Sequence, residues 1–328
     1  MSQPSRLKEV HKINTSNRTK VGNLDGIGHA GIVRRYYDQT TRLFVRFGGA
    51  NEAYAIHRAV WPSKSDTFET AINFTNTELL RCLRDTWQNA ENSNLARASA
   101  PFCFADLGCG IGGSLFYLAQ HWGKPMRGLG LTISKTQAEL AQARLGQLHS
   151  PGIDLAFVHG DYLHVPCPDQ AFDAIYAIES FCHAPNPATF FAEAARLLRP
   201  GGRLIVCDDF IGSATGSDGM RAVTNREDEF WLRAYLEGWR VPNLTTFAET
   251  MSLASDQGLG VVEHADLTDR LRLRLLPRIP ARLMITAARP FINTHEIIPS
   301  MIGSTALQHC LARGLVCYKF VVFQASWR

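Results

Sequence analysis

The sequence has no apolar run of the roughly 18 residues that a membrane span requires, so we expect no integral membrane segment. Residues 1–20 are polar and basic and lack the apolar centre of a secretory signal. Both absences favour a cytoplasmic protein. The first 25 residues also show little hydrophobic periodicity, and we expect them to be loosely ordered.

Patterns of metal-binding or disulfide-bonded cysteines are missing too, because none of the eight cysteines belongs to a C-x-x-C pair. We expect most of them to be reduced and buried as small apolar side chains, and we predict no metal site. The formal net charge of +4 is too small to indicate a nucleic-acid-binding protein. A small-molecule substrate is therefore the expected partner.

The most informative stretch is 102–120, FCFADLGCGIGGSLFYLAQ, where an apolar run precedes alternate glycines and an amphipathic segment. This order predicts a strand, a glycine turn and a helix, as at the start of a nucleotide-binding α/β domain. Gly108, Gly110 and Gly112 carry no Cβ, so a ligand can lie against bare backbone. Asp106 comes just before them, which suits the charged amino-acid part of S-adenosylmethionine (SAM) better than a pyrophosphate.

Apolar and amphipathic segments continue to alternate along the chain. Strands are predicted at 126–133, 155–158, 171–178 and 203–207, and helices at 135–147 and 187–198. This alternation predicts an α/β fold with a doubly wound, mostly parallel sheet. Right-handed crossovers place the loops that follow the strands at one edge, where ligands bind. We expect five polar side chains to share that crevice: Asp106, Thr132, Asp161, Glu179 and Asp208.

Additional segments are expected to surround this core. Residues 1–99 are predicted to form an N-terminal helical cap, and 100–328 the catalytic core. Insertions at about 210–258 and 267–314 are predicted to cover the crevice as a lid. The last helix is predicted at about 305–313 and a closing strand at 316–324. The apolar segment 36–61 could bury against a second copy of the chain, which leaves a homo-oligomer open.

Residues 267–290 contain six arginines and a single acid, Asp269. Three interpretations are open for them: a solvated R-x-R-x-R strand face, a grip on an anionic acceptor such as a diphosphate, or attraction to an anionic membrane surface that holds a lipid substrate. A diphosphate acceptor would also bring Mg²⁺. The arginines are Arg270, Arg272, Arg274, Arg278, Arg282 and Arg289.

Together, these features resemble a class I SAM-dependent methyltransferase over about residues 100–265. Residues 106–112 have the family motif, D-L-G-C-G-I-G. Residues 198–202, L-R-P-G-G, form a signal that ends a helix and also fit the family. Residues 130–137, GLTISKTQ, are similar to a run in tocopherol and sterol C-methyltransferases. Residues 177–185, AIESFCHAP, resemble the sterol 24-C-methyltransferase signature most closely, and enzymes that methylate isoprenyl diphosphates share parts of it. The resemblance implies a seven-stranded Rossmann-like sheet.

The resemblance also implies how SAM would be held. Asp106 would pair with its ammonium group, and Asp161 with Tyr162 would contact the adenine. The second strand lacks the usual ribose-binding acid, and the subgroup resembled uses hydroxyl and amide side chains there instead. The full implied set is Asp106, Gly108, Gly110, Gly112, Thr132, Ser134, Gln137, Asp161, Tyr162 and Ile178.

Methyl transfer to an alkene carbon would leave a carbocation, which aromatic faces and a carboxylate can stabilise. Glu179 ends a buried strand and is the predicted carboxylate and base, with an ion pair to a lid arginine as the structural alternative. His183 is a second predicted base, or a hydrogen-bonding residue that holds its loop. Four aromatic residues are predicted to line the acceptor pocket, unless they pack in the core: Tyr37, Phe230, Trp231 and Tyr235.

Three functional hypotheses result. The first is SAM-dependent C-methylation of an isoprenoid or another hydrophobic natural product, with Glu179 as the base. The second is O- or N-methylation of a small aromatic or polar metabolite. The third is a SAM-binding module without catalysis, which would require a filled acceptor pocket.

Overall fold

The computed structural model describes residues 28–47, 56–92, 101–148, 151–212 and 225–326. These residues surround one sheet. Its seven strands are β1 (Phe102–Leu107), β2 (Met126–Thr132), β3 (Ile153–His159), β4 (Phe172–Ile178), β5 (Leu198–Ile211), β6 (Leu259–Asp266) and β7 (Val316–Ala325). Their order across the sheet is β3-β2-β1-β4-β5-β7-β6. The predicted loose order of residues up to 25 falls outside the described ranges.

The first five strands pair in parallel, whereas β7 is antiparallel to both β5 and β6. The parallel strands are buried on both faces, which explains their nearly continuous apolar sequences. The fold class predicted from the sequence is confirmed: an α/β, doubly wound, mostly parallel sheet of seven strands.

Helices cover the sheet and the edge where the parallel strands end. They are α1 (His29–Phe47), α2 (Phe68–Asn92), α3 (Gly113–His121), α4 (Lys135–Leu145), α5 (Pro187–Leu197), α6 (Arg226–Gly238), α7 (Phe247–Ser255), α8 (Arg278–Ala288) and α9 (Ile297–Ala312). A third apolar cluster lies among α6, α8 and α9, apart from the two clusters on the sheet. Within the described ranges, no helix has the length and apolar character to span a bilayer.

The arginine-rich segment differs from the predicted strand face. Residues 271–277 form no strand, and α8 begins at Arg278. Pro280 lies in the first turn of α8, where a missing backbone N–H costs no intrahelical hydrogen bond. The alternating Arg and Leu residues therefore have the sequence pattern of a strand, but they pair with no strand of the described sheet.

Two other boundaries also differ from the sequence prediction. Strand β5 continues to Ile211 because β7 pairs with it from Arg203 to Ile211, which places Asp208 and Asp209 inside the strand. Helix α9 begins at Ile297 rather than near residue 305. Gly303 lies in the interior of α9, and a helical glycine weakens the sequence signal.

Gly303 of α9 faces Gly238 of α6 at a close helix crossing. A Cβ atom on Gly303 would lie 2.7 Å from the carbonyl carbon of Gly238, and one on Gly238 would clash with the backbone of Gly303. Only glycine lets the two backbones approach this closely. This crossing holds α6 and α9 together at the end of the molecule where the parallel strands terminate.

We predict that Gly238→Ala lowers the free energy of unfolding by about 1–3 kcal/mol, because the clash is with backbone that cannot rotate away. Urea unfolding followed by circular dichroism measures this change. Gly260→Ala in β6 is the matched control, since no atom lies within 4 Å of the added Cβ. Equal unfolding midpoints for the two variants would contradict this account of the crossing.

Candidate active site

A cavity opens at the carboxyl ends of the parallel strands, with an empty volume of about 1320 Å³ that includes some open solvent. Helix α1 and the segment after residue 55 close one side, and α6 and α9 close another through Tyr235, Trp239 and Leu307. Of the residues predicted from the sequence, those that line it are Tyr37, Gly108, Gly110, Thr132, Gln137, Asp161, Tyr162, Ile178, Glu179, His183, Asp208 and Tyr235.

The glycine turn after β1 exposes backbone to this cavity. Gly110 has φ +54°, and a Cβ there would meet only Ile56, at 3.7 Å. Gly108 has φ +99° and packs tightly against Ser180, leaving no room for a side chain. Gly112 does not line the cavity, because its α-carbon faces the Phe157 ring. The first two glycines thus form a cavity wall without side chains, and the third allows the helix to pack on β3.

Asp106 lies behind that wall and is 3% exposed. Burial raises the pKa of Asp106 to about 8, because loss of solvation penalises the charged form of its carboxyl group. A carboxyl group in this state is poised to gain a positively charged partner. Asp106 is not among the residues that line the cavity, so its contact with the ammonium group of a ligand stays a prediction.

The ends of β2 and β3 supply hydroxyl, amide and acid groups. The Thr132 hydroxyl donates to Gln137 Oε1 at 2.6 Å, and both residues line the cavity. Ser134 lies outside the lining: it caps α4, and its hydroxyl donates to Asp38 of α1 at 2.6 Å. Asp161 lines the cavity and accepts a backbone hydrogen bond from Leu163 at 2.9 Å. Ser134 thus connects α1 to the beginning of α4.

Glu179, at the end of β4, is clamped by an arginine that the sequence analysis did not single out. Arg58 donates to Glu179 Oε1 from its backbone N–H at 2.8 Å and from Nε at 3.1 Å. Its Nη1 donates to Asp209 Oδ1 at 2.8 Å, and its guanidinium lies 4.0 Å from the centre of the Tyr318 ring. The Tyr318 hydroxyl also donates to Glu179 Oε1, at 2.9 Å. Within the described part of the chain, Oε2 of Glu179 receives no donor.

This clamp decides the charge on Glu179. Burial opposes ionisation, but Arg58, His57 and the Tyr318 hydroxyl together outweigh it and hold the pKa of Glu179 below its usual value. Glu179 also has φ +51°, a left-handed conformation that is unusual for a residue with a side chain. Such strain is concentrated at functional sites, where the surrounding contacts impose it. Glu179 is therefore an ionised, fixed acceptor at the cavity wall.

Tyr37 and His183 form a hydrogen-bonded pair at the same cavity. The oxygen of Arg240 can only accept, so the 3.5 Å contact assigns the proton to His183 Nδ1. His183 Nε2 then accepts from the Tyr37 hydroxyl, 2.8 Å away. Burial lowers the pKa of His183 to about 4, so its ring is neutral near pH 7.

The aromatic residues of α6 divide between the cavity and the core. Tyr235 lines the cavity, and its hydroxyl donates to Asp209 Oδ2 at 2.9 Å. Trp231 is fully buried and stacks on His309, with ring centres 3.9 Å apart. Phe230 lies under Arg282 and does not line the cavity. The positions of Phe230 and Trp231 thus do not support the predicted contacts with an acceptor. The sequence alone did not show which face of α6 is directed at the cavity.

Three side chains at the cavity wall have a buried polar atom without a partner in the described ranges. These atoms are His29 Nε2, His57 Nε2 and Trp239 Nε1. The Nδ1 of His57 lies 3.2 Å from the Arg58 carbonyl oxygen and must donate, so Nε2 is left as a free acceptor. Buried polar atoms are normally paired, so their positions indicate contacts that a ligand would make.

Five residues that line the cavity belong to no motif recognised in the sequence: His29, His57, Arg58, Asp209 and Trp239. The one signal for Arg58 was a charged residue between apolar neighbours, at 55–61. The six arginines of 267–290 lie outside the cavity. Arg278 pairs with Glu227 and Arg289 with Glu237, while Arg272 lies over the Trp61 ring. No group of three or more His, Cys, Asp and Glu residues suited to a metal occurs in the described ranges.

Comparison with known sequences shows what the chain is similar to. Residues 105–206 match the methyltransferase domain family Methyltransf_11. An O-methyltransferase of Penicillium expansum is 39% identical over 242 residues, covering 73% of this chain and 76% of that protein. An O-methyltransferase of Aspergillus sclerotiorum is 30% identical over 245 residues, covering 74% of this chain and 81% of that protein.

A sterol 24-C-methyltransferase of Gibberella zeae is 30% identical over 165 residues, which cover 50% of this chain and 41% of that protein. The chain thus spans less than half of that relative. Among solved structures, a geranyl diphosphate C-methyltransferase of Streptomyces coelicolor superposes with a TM-score of 0.61 at 18% identity, covering 91% of this chain and 98% of that one. At this identity the likeness concerns the fold.

The fold, the glycine-walled cavity and the matches over about three quarters of the chain agree with one another. They also agree with the motif in residues 106–112. The chain belongs to the SAM-dependent methyltransferases.

Proposed function

We propose that the protein transfers the methyl group of SAM to a hydroxyl group of a hydrophobic natural product. The observation that carries this proposal is the pair of Tyr37 and neutral His183 at the cavity wall. Such a pair can accept a proton from an acceptor hydroxyl, which O-methylation requires. The compartment expected for this activity remains the cytoplasm.

The cavity residues fit SAM as the donor. Gly108 and Gly110 provide backbone without side chains, and buried Asp106 would hold the ammonium group. Thr132 and Gln137 offer hydroxyl and amide groups for a ribose, and Asp161 and Tyr162, which also line the cavity, would contact the adenine. When bound, SAM supplies an electrophilic methyl group and a neutral thioether as the leaving group.

The acceptor proton would move along the Tyr37–His183 pair. The Tyr37 oxygen accepts the proton of the acceptor hydroxyl, and the Tyr37 proton passes to His183 Nε2 over the 2.8 Å hydrogen bond. The Arg240 carbonyl holds the ring in the tautomer that leaves Nε2 free to accept. Ionised Glu179 favours the positive charge that forms on the ring.

Two further observations support an acceptor with polar groups. The free acceptor atom His57 Nε2 calls for a hydrogen-bond donor on the bound molecule. The two relatives described above that match over about three quarters of the chain are both named O-methyltransferases. Their matches, over 245 and 242 residues, are longer than the range 105–206 that matches the methyltransferase domain family. The similarity therefore reaches residues outside that range.

C-methylation of an isoprenoid is the second candidate, and one observation favours it. Glu179 Oε2 receives no donor among the described residues, while Glu179 lines the cavity. A carboxylate in that position could stabilise a carbocation and then take a proton from it. The clamp by Arg58 weakens this role, because it compensates the negative charge. Mg²⁺ would enter only with a diphosphate acceptor, and the arginines of 267–290 lie outside the cavity.

We predict that SAM binding releases roughly one proton near pH 7, because the ammonium group would convert Asp106 from the protonated to the charged form. Above pH 8 the free protein has already lost this proton, so the release should fade. Titration calorimetry in two buffers with different heats of ionisation measures it. Asp106→Asn should bind SAM more weakly and without proton release, whereas Asp154→Asn, on exposed β3 surface, should behave as the parent protein does. Identical apparent enthalpies in both buffers would refute this role.

We predict that Tyr37→Phe lowers kcat about 10²–10⁴-fold while SAM binding is retained, because the proton path is lost. The assay incubates the protein with methyl-labelled SAM and an extract of the source organism, and NMR then locates the label. Tyr117→Phe is the matched control, since its hydroxyl bonds Thr77 away from the cavity. Glu179→Gln should keep a measurable rate. A product with a new carbon–carbon bond, formed by Tyr37→Phe but not by Glu179→Gln, would reject O-methylation in favour of the second candidate.

A further inference from the structure

An apolar surface remains uncovered on α8 and the segment just before it. Leu275 and Leu276 are 49% and 47% exposed, and Ile279 and Leu283 are each 66% exposed. Ile279 and Leu283 are four residues apart and share one helix face, while Ala281 and Ile285 are buried on the opposite face. Large aliphatic side chains grouped in this way on a surface mark an interaction site.

Cations accompany these side chains. No acidic residue occurs from Arg270 to His295. Arg272 and Arg274 are both exposed, and Arg272 donates to the backbone oxygen of Lys64 at 2.7 Å, in a turn that carries both Lys64 and Asp66. Arg278 is excluded from this set, since it pairs with Glu227 at 3.0 Å. We call the group Arg272, Arg274, Leu275, Leu276, Ile279 and Leu283 the basic apolar face.

We propose that the basic apolar face docks on the surface of an anionic lipid bilayer. A helix with aliphatic residues on its outer side and arginines beside them lies in the boundary between lipid headgroups and acyl chains. Arginines without a neighbouring acid are attracted to anionic headgroups. A nucleic acid would match the arginines but leave the four aliphatic side chains in water. The proposal does not depend on which atom of the acceptor is methylated.

This face lies close to the cavity. The backbone N–H of Arg274 donates to Gln308 Oε1 at 2.9 Å, which ties the face to α9. The neighbouring residue Leu307 lines the cavity. A bilayer at the basic apolar face would therefore lie beside the cavity wall formed by α9. A hydrophobic acceptor dissolved in that bilayer would be concentrated next to the site.

Co-sedimentation with vesicles tests the proposal on the full chain. We expect the protein to pellet with vesicles of equimolar phosphatidylcholine and phosphatidylserine, to stay in solution with phosphatidylcholine alone, and to be released by added salt. The double variant Ile279→Ser/Leu283→Ser should reduce the pelleted fraction about tenfold, because both side chains would enter the bilayer. Arg272→Glu/Arg274→Glu should abolish the preference for phosphatidylserine.

Two control variants separate this face from general surface effects. Val262→Ser removes a 49% exposed aliphatic residue from β6, and Lys135→Glu reverses a 73% exposed charge on α4; both should pellet as the parent protein does. Equal pelleting with the two kinds of vesicle would overturn the proposal. So would a double variant that pellets normally. Loss of self-association in that variant, measured by analytical ultracentrifugation without any vesicle binding, would assign the face to a second copy and likewise overturn the proposal.

Discussion

The organisation of the site depends on the ion pairs of Arg58. This side chain comes from the segment between α1 and α2, yet it binds Glu179 at the end of β4 and Asp209 in β5. It also lies over Tyr318 of β7. Arg58 and Glu179 are both partly buried, whereas Asp209 is buried, so removing Arg58 would leave the Asp209 charge uncompensated in the interior. Arg58 thus joins the N-terminal segment to three strands and fixes the wall of the cavity.

The same ion pairs set the chemistry that the cavity can perform. A Glu179 carboxylate held ionised by Arg58 is a weak base, but it remains a fixed negative charge near His183. Burial lowers the pKa of His183 to about 4, so its proposed role as proton acceptor depends on the hydrogen bond between Nε2 and Tyr37 rather than on its basicity. The buried acid Asp106 lies on the other side, behind the glycine turn. Donor and acceptor groups would therefore meet between a glycine wall and a hydrogen-bonded tyrosine.

Much of the fold could be predicted because its signals are local. The glycine turn at 106–112, the apolar strands and the prolines and glycines that end helices are each readable within a few residues. The cavity side of the sheet followed from the handedness of the crossovers. Five polar residues were expected in one crevice, and four of them line the cavity: Thr132, Asp161, Glu179 and Asp208.

The rest could not be predicted, because it depends on contacts between distant residues. Arg58 and Glu179 are 121 residues apart in the sequence, and no periodicity connects them. Trp231 and Tyr235 are one helical turn apart, but only packing against α9 decides that one is in the core and the other at the cavity. The alternating Arg and Leu residues before α8 have the period of a strand. Only the three-dimensional structure shows that no described strand lies beside them to pair with.

The most direct test of the account is a crystal structure of the protein soaked with S-adenosylhomocysteine. We expect the ligand in the cavity against Gly108 and Gly110, with its amino group near Asp106 and its sulfur directed toward the side that Tyr37 and Glu179 line. A cavity that stays empty at saturating ligand, or a ligand bound elsewhere on the chain, would contradict it.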